Sequence, residues 1–337
     1  MDIKETVIRL SELKGTSGNE LSAAQEIHGI FSKYCDRYEI IGTDNYVEYF
    51  GEHDENKKLL VLDAHIDEVG MIVTYITDEG FVKVSNLGGI DRRLLPAQPV
   101  IIHGKKDIKG VICSVPPHLT SGGTEVLAWD DVSIDTGMTK DELEKYISLG
   151  DSVTYDVKCR ELIGNRLTGA SLDDRCGIAS ILLALDKLKG KKLKYNVAVV
   201  LATQEELGER GAKICAYAVN PDIAIAVDVS FAHAIGEDER KCGKLGKGAM
   251  IGISPSLSRE ISENLKYTAE KNNIPYQIEV MEGLTSTNAD RYSVSRNGVK
   301  TCTVSIPLRN MHTPVEVIDL KDIELTAELL ADFIKED

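Results

Sequence analysis

Apolar residues recur at three- and four-residue steps from Ile3 to Leu13 and from Glu20 to Tyr34, predicting two helices early in the chain. Ser17-Gly18-Asn19 precedes the second as a capping segment. Short strands are expected at 45–50 and 58–64. In the latter, Leu59-Leu60-Val61-Leu62 is apolar without alternation, the pattern of a strand buried on both faces. Past Gly70 the texture changes to short strand-like runs at 71–77, 81–85, 100–103, 110–115 and 152–157, separated by Gly, Pro and Asp. Closely spaced strands with almost no helix predict a small barrel or β-domain. From Leu162 the chain alternates again, with helices expected at 176–188, 211–218, 258–272 and 320–334. Strands are expected between them at 195–203, 223–229 and 301–306. The predicted fold is α/β: a mostly parallel central sheet with helices on both faces, interrupted by an inserted small β-barrel-like domain. The expected boundaries are 1–69 and 159–337 for the α/β domain and 70–158 for the insertion.

Composition narrows the function. The 337 residues suit roughly two domains, and 42% hydrophobic with 28% charged residues is globular rather than disordered or fibrous. No apolar run reaches the ~18 residues of a membrane span. The net charge of −15 repels phosphate backbones and anionic lipid, so neither nucleic acid nor membrane is an expected partner. Seven scattered cysteines without C-x-x-C spacing, and no basic-then-apolar start, suggest reduced thiols and a cytoplasmic protein.

The chemistry gathers behind the predicted buried strands, where open α/β sheets bind ligands. Strand 58–64 runs into His65-Ile66-Asp67-Glu68, strand 195–203 into Gln204-Glu205-Glu206, and strand 223–229 carries Asp228. Strand 301–306 leads to His312, and Asp173-Asp174 stands just before a helix. Taken singly, each has a plainer reading: a helix cap, a satisfied histidine, a solvated loop pair. Together they crowd acids at one sheet edge, which is costly without a cation. Two His with several carboxylates and no matching Cys suit zinc, cobalt or manganese. In His65-x-Asp67 the side chains share one side of an extended segment, so Asp67 can orient the imidazole. Adjacent Glu205 and Glu206 diverge, so one can bind metal while the other acts as a base. An Asp shared between two cations suits a two-metal site.

Five segments, in order, resemble the M42 family of metallo-aminopeptidases, the glutamyl and tetrahedral aminopeptidases and proteins once labelled endoglucanases. They are Asp63-Ala64-His65-Ile66-Asp67-Glu68-Val69-Gly70, Leu172-Asp173-Asp174-Arg175-Cys176-Gly177, and Gln204-Glu205-Glu206-Leu207-Gly208-Glu209-Arg210-Gly211-Ala212. Val227-Asp228-Val229-Ser230 and the run from Ile306 through Arg309 and His312 to Glu316 complete the set. The resemblance implies two divalent metal ions per subunit, zinc or cobalt foremost and manganese as an alternative. One would be held by His65, Asp173 and Asp228, the other by Asp173, Glu206 and His312, with Asp173 bridging. Glu205 would be the general base and Asp67 the partner of His65. The substrates would be short peptides with a free N-terminus. The insertion would be a dimerisation domain, and the assembly a homo-oligomer built from dimers, extending to a dodecameric tetrahedral shell. The family has Asn where Asp174 stands, Tyr where Asn310 stands, and a second Asp near Ala234.

Other readings are a glycoside hydrolase, a small-molecule amidase or deacylase, and a non-catalytic metal-binding assembly protein. Sugar sites favour aromatic platforms and paired carboxylates without metal, whereas aromatics are 5% here and Trp129 is the sole tryptophan. Segments 231–235, 283–290 and 308–311 carry mostly small or neutral groups, favouring a neutral N-terminal residue. The Gly-, Ser- and Thr-rich segment Pro116 to Asp130 is a candidate lid over the cleft.

Overall fold

The computed structural model describes residues 1–116 and 126–336. Helices α1 (Ile3–Ser11) and α2 (Leu21–Phe31) precede strands β1 (Arg37–Ile41), β2 (Asn45–Phe50) and β3 (Leu59–His65). The chain then builds β4 (Gly70–Ile76), β5 (Val82–Leu87), β6 (Pro99–His103), β7 (Asp107–Ile112), β8 (Ser133–Asp135) and β9 (Ser152–Tyr155). A short helix α3 (Lys140–Leu143) lies between the last two. These six strands close into a barrel in the order β4-β5-β8-β7-β6-β9. Its filling is the inward half of alternating strands, with Val100 and Ile102, Val82 and Val84, and Met71 and Val73 all buried.

Next come β10 (Arg160–Leu162), β11 (Arg166–Gly169), α4 (Leu172–Leu188), β12 (Asn196–Ala202), α5 (Arg210–Val219) and β13 (Ile223–Phe231). The chain ends with β14 (Met250–Ile253), α6 (Arg259–Asn272), β15 (Gln277–Val280), α7 (Ala289–Ser293), β16 (Lys300–Leu308), β17 (Glu316–Asp319) and α8 (Leu320–Ile334). Among the described residues the large sheet runs β1-β2-β12-β3-β13-β16-β14-β15. Its centre, β12-β3-β13-β16, is parallel. Antiparallel pairing enters outside that centre, at β1-β2, β2-β12 and β14-β16. The central strands are buried along nearly their whole length, as strands covered on both faces must be, although β16 alternates Thr301, Thr303 and Ser305 with its apolar residues. Helices α1, α2, α4, α6 and α8 cover one face through the main apolar cluster, and α5 with α7 the other. β10, β11 and β17 form a separate small sheet.

Strand β3 is flanked by β12 on one side and β13 on the other, both later in sequence. The chain passes from β3 to β12 through α4 on one face and from β12 to β13 through α5 on the other, and such a switch point opens a crevice at the carboxyl ends of the strands. Most of the segment expected to act as a lid, 117–125, lies outside the described residues.

Candidate active site

His65 is the last residue of β3, and Asp228 lies near the end of β13. Glu205 and Glu206 follow β12, His312 follows β16, and Asp173 stands at the head of α4. The backbone there is left-handed at four non-glycine residues: Ser171 (φ 60°), Gln204 (54°), Asn310 (58°) and His312 (60°). Such conformations persist only where the surroundings enforce them. Asn tolerates this region well, which suits residue 310; its side-chain amide also donates to the Val315 carbonyl at 3.0 Å.

The two imidazoles are anchored alike. His65 Nδ1 lies 2.9 Å from the Asp67 main-chain carbonyl, and His312 Nδ1 lies 2.9 Å from the Gly89 carbonyl. A carbonyl only accepts, so each Nδ1 carries the proton and each Nε2 faces the carboxylates. His65 Nε2 is 3.0 Å from Asp173 Oδ1 and 3.8 Å from Asp228 Oδ1. His312 Nε2 is 3.3 Å from Asp173 Oδ2 and 3.0 Å from Glu206 Oε1. Asp173 therefore offers one oxygen to each histidine.

The supporting residues divide their work. The Asp67 carboxylate lies 3.6 Å from His65 Nδ1, farther than its own carbonyl. It accepts from Ser17 Oγ at 2.5 Å and from the Glu205 and Glu206 amides at 2.9 and 3.1 Å. Asp67 thus orients the ring through its main chain and places both glutamates through its side chain. Glu316 accepts from the Leu172 and Asp173 amides at 2.8 and 3.2 Å and from the His312 amide at 2.9 Å, joining two distant segments. The helix-capping role falls to Asp174, whose Oδ1 accepts from Gly177 N at 3.1 Å. Regular helical angles begin only after Asp174, matching the helix expected from 176.

Negative charge outruns the protein's own counter-charge here. Burial, then Asp228, Glu206 and Asp67, push the Glu205 carboxyl up to about 9. Burial with Asp173 and Glu206 raises Asp228 to about 7. Burial opposes a charged His312, yet the Asp173 and Glu206 carboxylates push it up to about 11. Burial likewise lifts Asp174 well above the usual carboxylate range. Beneath the site, Arg175 is fully buried, with its Nε and Nη2 unpartnered and Glu68, Asp67, Asp174 and Glu20 around it.

The donor set fits divalent cations: neutral imidazole Nε2 atoms and carboxylate oxygens, with no thiolate among them. His65, Asp173 and Glu206 each bring a ligand atom within 4.8 Å of the others, and so do His65, Asp174 and Asp228. The second group contains Asp174 where the family resemblance implies Asp173. Both Asp174 oxygens already accept main-chain amides, from His65 at 3.3 Å and from Gly177. Asp173, with an oxygen toward each histidine, is the better ligand.

Every residue singled out from the sequence, His65, Asp67, Asp173, Glu205, Glu206, Asp228 and His312, lies in this cluster. Sequence reasoning gave no site role to Glu316, the Gly88-Gly89 pair or Ser17; the last was expected to cap α2 but instead donates to Asp67, and the N-cap of α2 is Glu20. Gly-Gly directly after a strand was the available signal for the glycine pair. Trp129 is elsewhere, packed against the barrel interior.

The chain is similar to known proteins along nearly its whole length. The family model of the M42 glutamyl aminopeptidases matches residues 45–329. A lysyl aminopeptidase of Pyrococcus furiosus is 29% identical over 98% of this chain and 96% of its own length. An aminopeptidase from the archaeon Desulfurococcus kamchatkensis superposes with a TM-score of 0.93 at 33% identity, covering 99% of this chain and 95% of that one. The TET1 peptidase of Pyrococcus horikoshii, which can assemble into a tetrahedron or a large octahedral shell, gives 0.86 at 30% identity over all of both chains. This chain belongs to the M42 glutamyl aminopeptidase family and is a peptide hydrolase.

Proposed function

We propose that the chain is a dinuclear metal-dependent aminopeptidase that releases N-terminal residues from short peptides. One observation carries the reading: Asp173 turns Oδ1 to His65 and Oδ2 to His312, the arrangement of a carboxylate shared by two cations. His65, Asp173 and Asp228 would hold one ion, and Asp173, Glu206 and His312 the other. Zinc or cobalt suits these donors best, with manganese as an alternative. When bound, the ions supply Lewis acidity and charge for a polarised peptide carbonyl.

The chain's residues do the rest. Glu205, spared from ligation, accepts a proton from the attacking water at its carboxylate and returns it to the leaving amine. Its amide is pinned by Asp67, so the base is fixed relative to His65. Glu316 keeps Asp173 and His312 in step. The barrel contributes the carbonyl that sets the His312 tautomer, and in this proposal also pairs subunits within a homo-oligomer. The TET1 peptidase's shells support an assembly of this kind.

A panel of aminoacyl p-nitroanilides and short peptides, measured with zinc, cobalt or manganese and after chelation, tests the reading. Hydrolysis should require metal and a free N-terminus. Glu205→Gln should keep both metals by elemental analysis while losing at least ~100-fold in kcat. Full activity after chelation, or loss of metal from Glu205→Gln, would overturn it.

A further inference from the structure

Glu279 on β15 is a carboxylate that the proposed reaction leaves unused. It accepts hydrogen bonds from the Ser230 hydroxyl and, at 2.8 Å, from the Ser305 hydroxyl. Both serines lie beside Asp228 in the sheet. Ser230 follows Asp228 by two residues on β13, so the two side chains leave the sheet on one face. Ser305 sits beside Asp228 in the β13–β16 register. The Glu279 carboxylate is therefore held alongside Asp228, displaced by about one strand spacing (~4.8 Å) and up to a two-residue step (~6.6 Å).

Its surroundings lack a counter-charge. Burial pushes the Glu279 carboxyl upward and the two serine hydroxyls work against that; no lysine or arginine among the described residues offsets it. The residue is only half-buried, so it remains reachable from solvent. A carboxylate in that position gains from a cation delivered by a ligand. Resting on the aminopeptidase reading above, we infer that Glu279 is a specificity-determining residue that selects peptides whose N-terminal side chain is basic, lysine or arginine. Four methylenes carry a lysine ammonium on the order of 6 Å from its Cα, which matches the displacement from Asp228. An acidic side chain meets a like charge there, and a neutral one leaves the carboxylate without a counter-charge. The segments that suggest a neutral preference, 231–235, 283–290 and 308–311, do not include residue 279.

The test compares Lys-, Arg-, Leu- and Glu-p-nitroanilide on the metal-loaded wild type, Glu279→Gln and Glu279→Lys. Thermal shifts with L-lysinamide and L-leucinamide are read on the same proteins. The wild type should favour Lys and Arg. Glu279→Gln should lower the Lys-to-Leu ratio of kcat/KM at least tenfold, mainly through KM, and remove the extra thermal shift of L-lysinamide. Glu279→Lys should move the preference toward Glu. A wild type that favours neutral or acidic residues, or a Glu279→Gln variant weakened equally on all substrates, would overturn the inference. If no p-nitroanilide is cleaved by the metal-loaded wild type, the proposed aminopeptidase reading falls. The lysinamide shift then decides on Glu279 alone: its loss in Glu279→Gln supports the cation site, and its persistence overturns it.

Discussion

Two adjacent aspartates show how neighbours of the same type acquire opposite roles. Asp173 turns each oxygen to a different histidine, whereas Asp174 spends both on main-chain amides and caps α4. Burial raises the Asp174 carboxyl well above its ordinary range, because burial favours the neutral form over the charged one. Neutral Asp and Asn are close in shape, and the family's usual residue here is the one that Asp174→Asn restores. That variant should keep two metals per subunit and most of its activity. Asp173→Asn removes the shared charge and should lose metal from both positions. Elemental analysis after dialysis separates the two outcomes. If Asp174→Asn loses an ion, the cluster of His65, Asp174 and Asp228 is a ligand set and the assignment of Asp173 to both ions is wrong. The acids and histidines themselves were legible because strand ends concentrate ligands. Which of two adjacent acids ligates was not, since either can cap a helix, and only the geometry divides the roles.

At the scale of elements, legibility followed burial. β3, β12, β13 and β16 are the long buried strands, rich in aliphatic and β-branched residues, and the sequence places them within one or two residues at most ends. β10, β11, β14, β15 and β17 escape notice because they are three or four residues long, too short for a period to show. The missed β15 matters most, because it carries Glu279. The link after β5 escapes for another reason: Gly88 and Gly89 are chosen for close approach, and absent side chains leave no pattern. A Cβ at Gly89 would meet His312 Nδ1 at 3.1 Å, displacing the ring whose proton the Gly89 carbonyl fixes. Gly88 combines φ 78° with a Cβ position 2.8 Å from Val69 Cγ1 and 3.2 Å from Glu206 Cβ. Gly89→Ala should therefore weaken metal binding about tenfold or more, in the range of losing a ligand's supporting contact. Its far-UV circular dichroism should be unchanged. Gly88→Ala should cost stability as well, through its positive φ. Wild-type metal affinity in Gly89→Ala would show that the barrel does not support the site.

For the whole molecule, the site ties together β3, α4, β12, β13, the segment after β16 and, through Gly89, the barrel. Cation binding should therefore stabilise the entire fold, by about 4 kcal/mol when free metal exceeds Kd ~1,000-fold. Protons compete for the same groups, which gives this stabilisation a definite pH dependence. In metal-free protein, His312 is raised from 6.5 to about 11, so its contribution is complete below pH 6.5 and fades as pH climbs toward 11. Glu205, raised from 4.5 to about 9, also favours the folded state while protonated, and that contribution fades between pH 4.5 and 9. Metal-free protein should accordingly lose stability from pH 6 to 8.5. Metal-loaded protein moves the other way, because ligands must shed protons to bind and affinity rises with pH. The gap in Tm between cobalt- or zinc-loaded and chelated samples should widen steadily across that window. Metal uptake in a weakly buffered solution should also release protons. Scanning fluorimetry at several pH values, with a pH-indicator titration beside it, measures both. A Tm gap that stays constant or narrows, or uptake without proton release, would mean that these histidines and acids are not the groups the cations displace protons from.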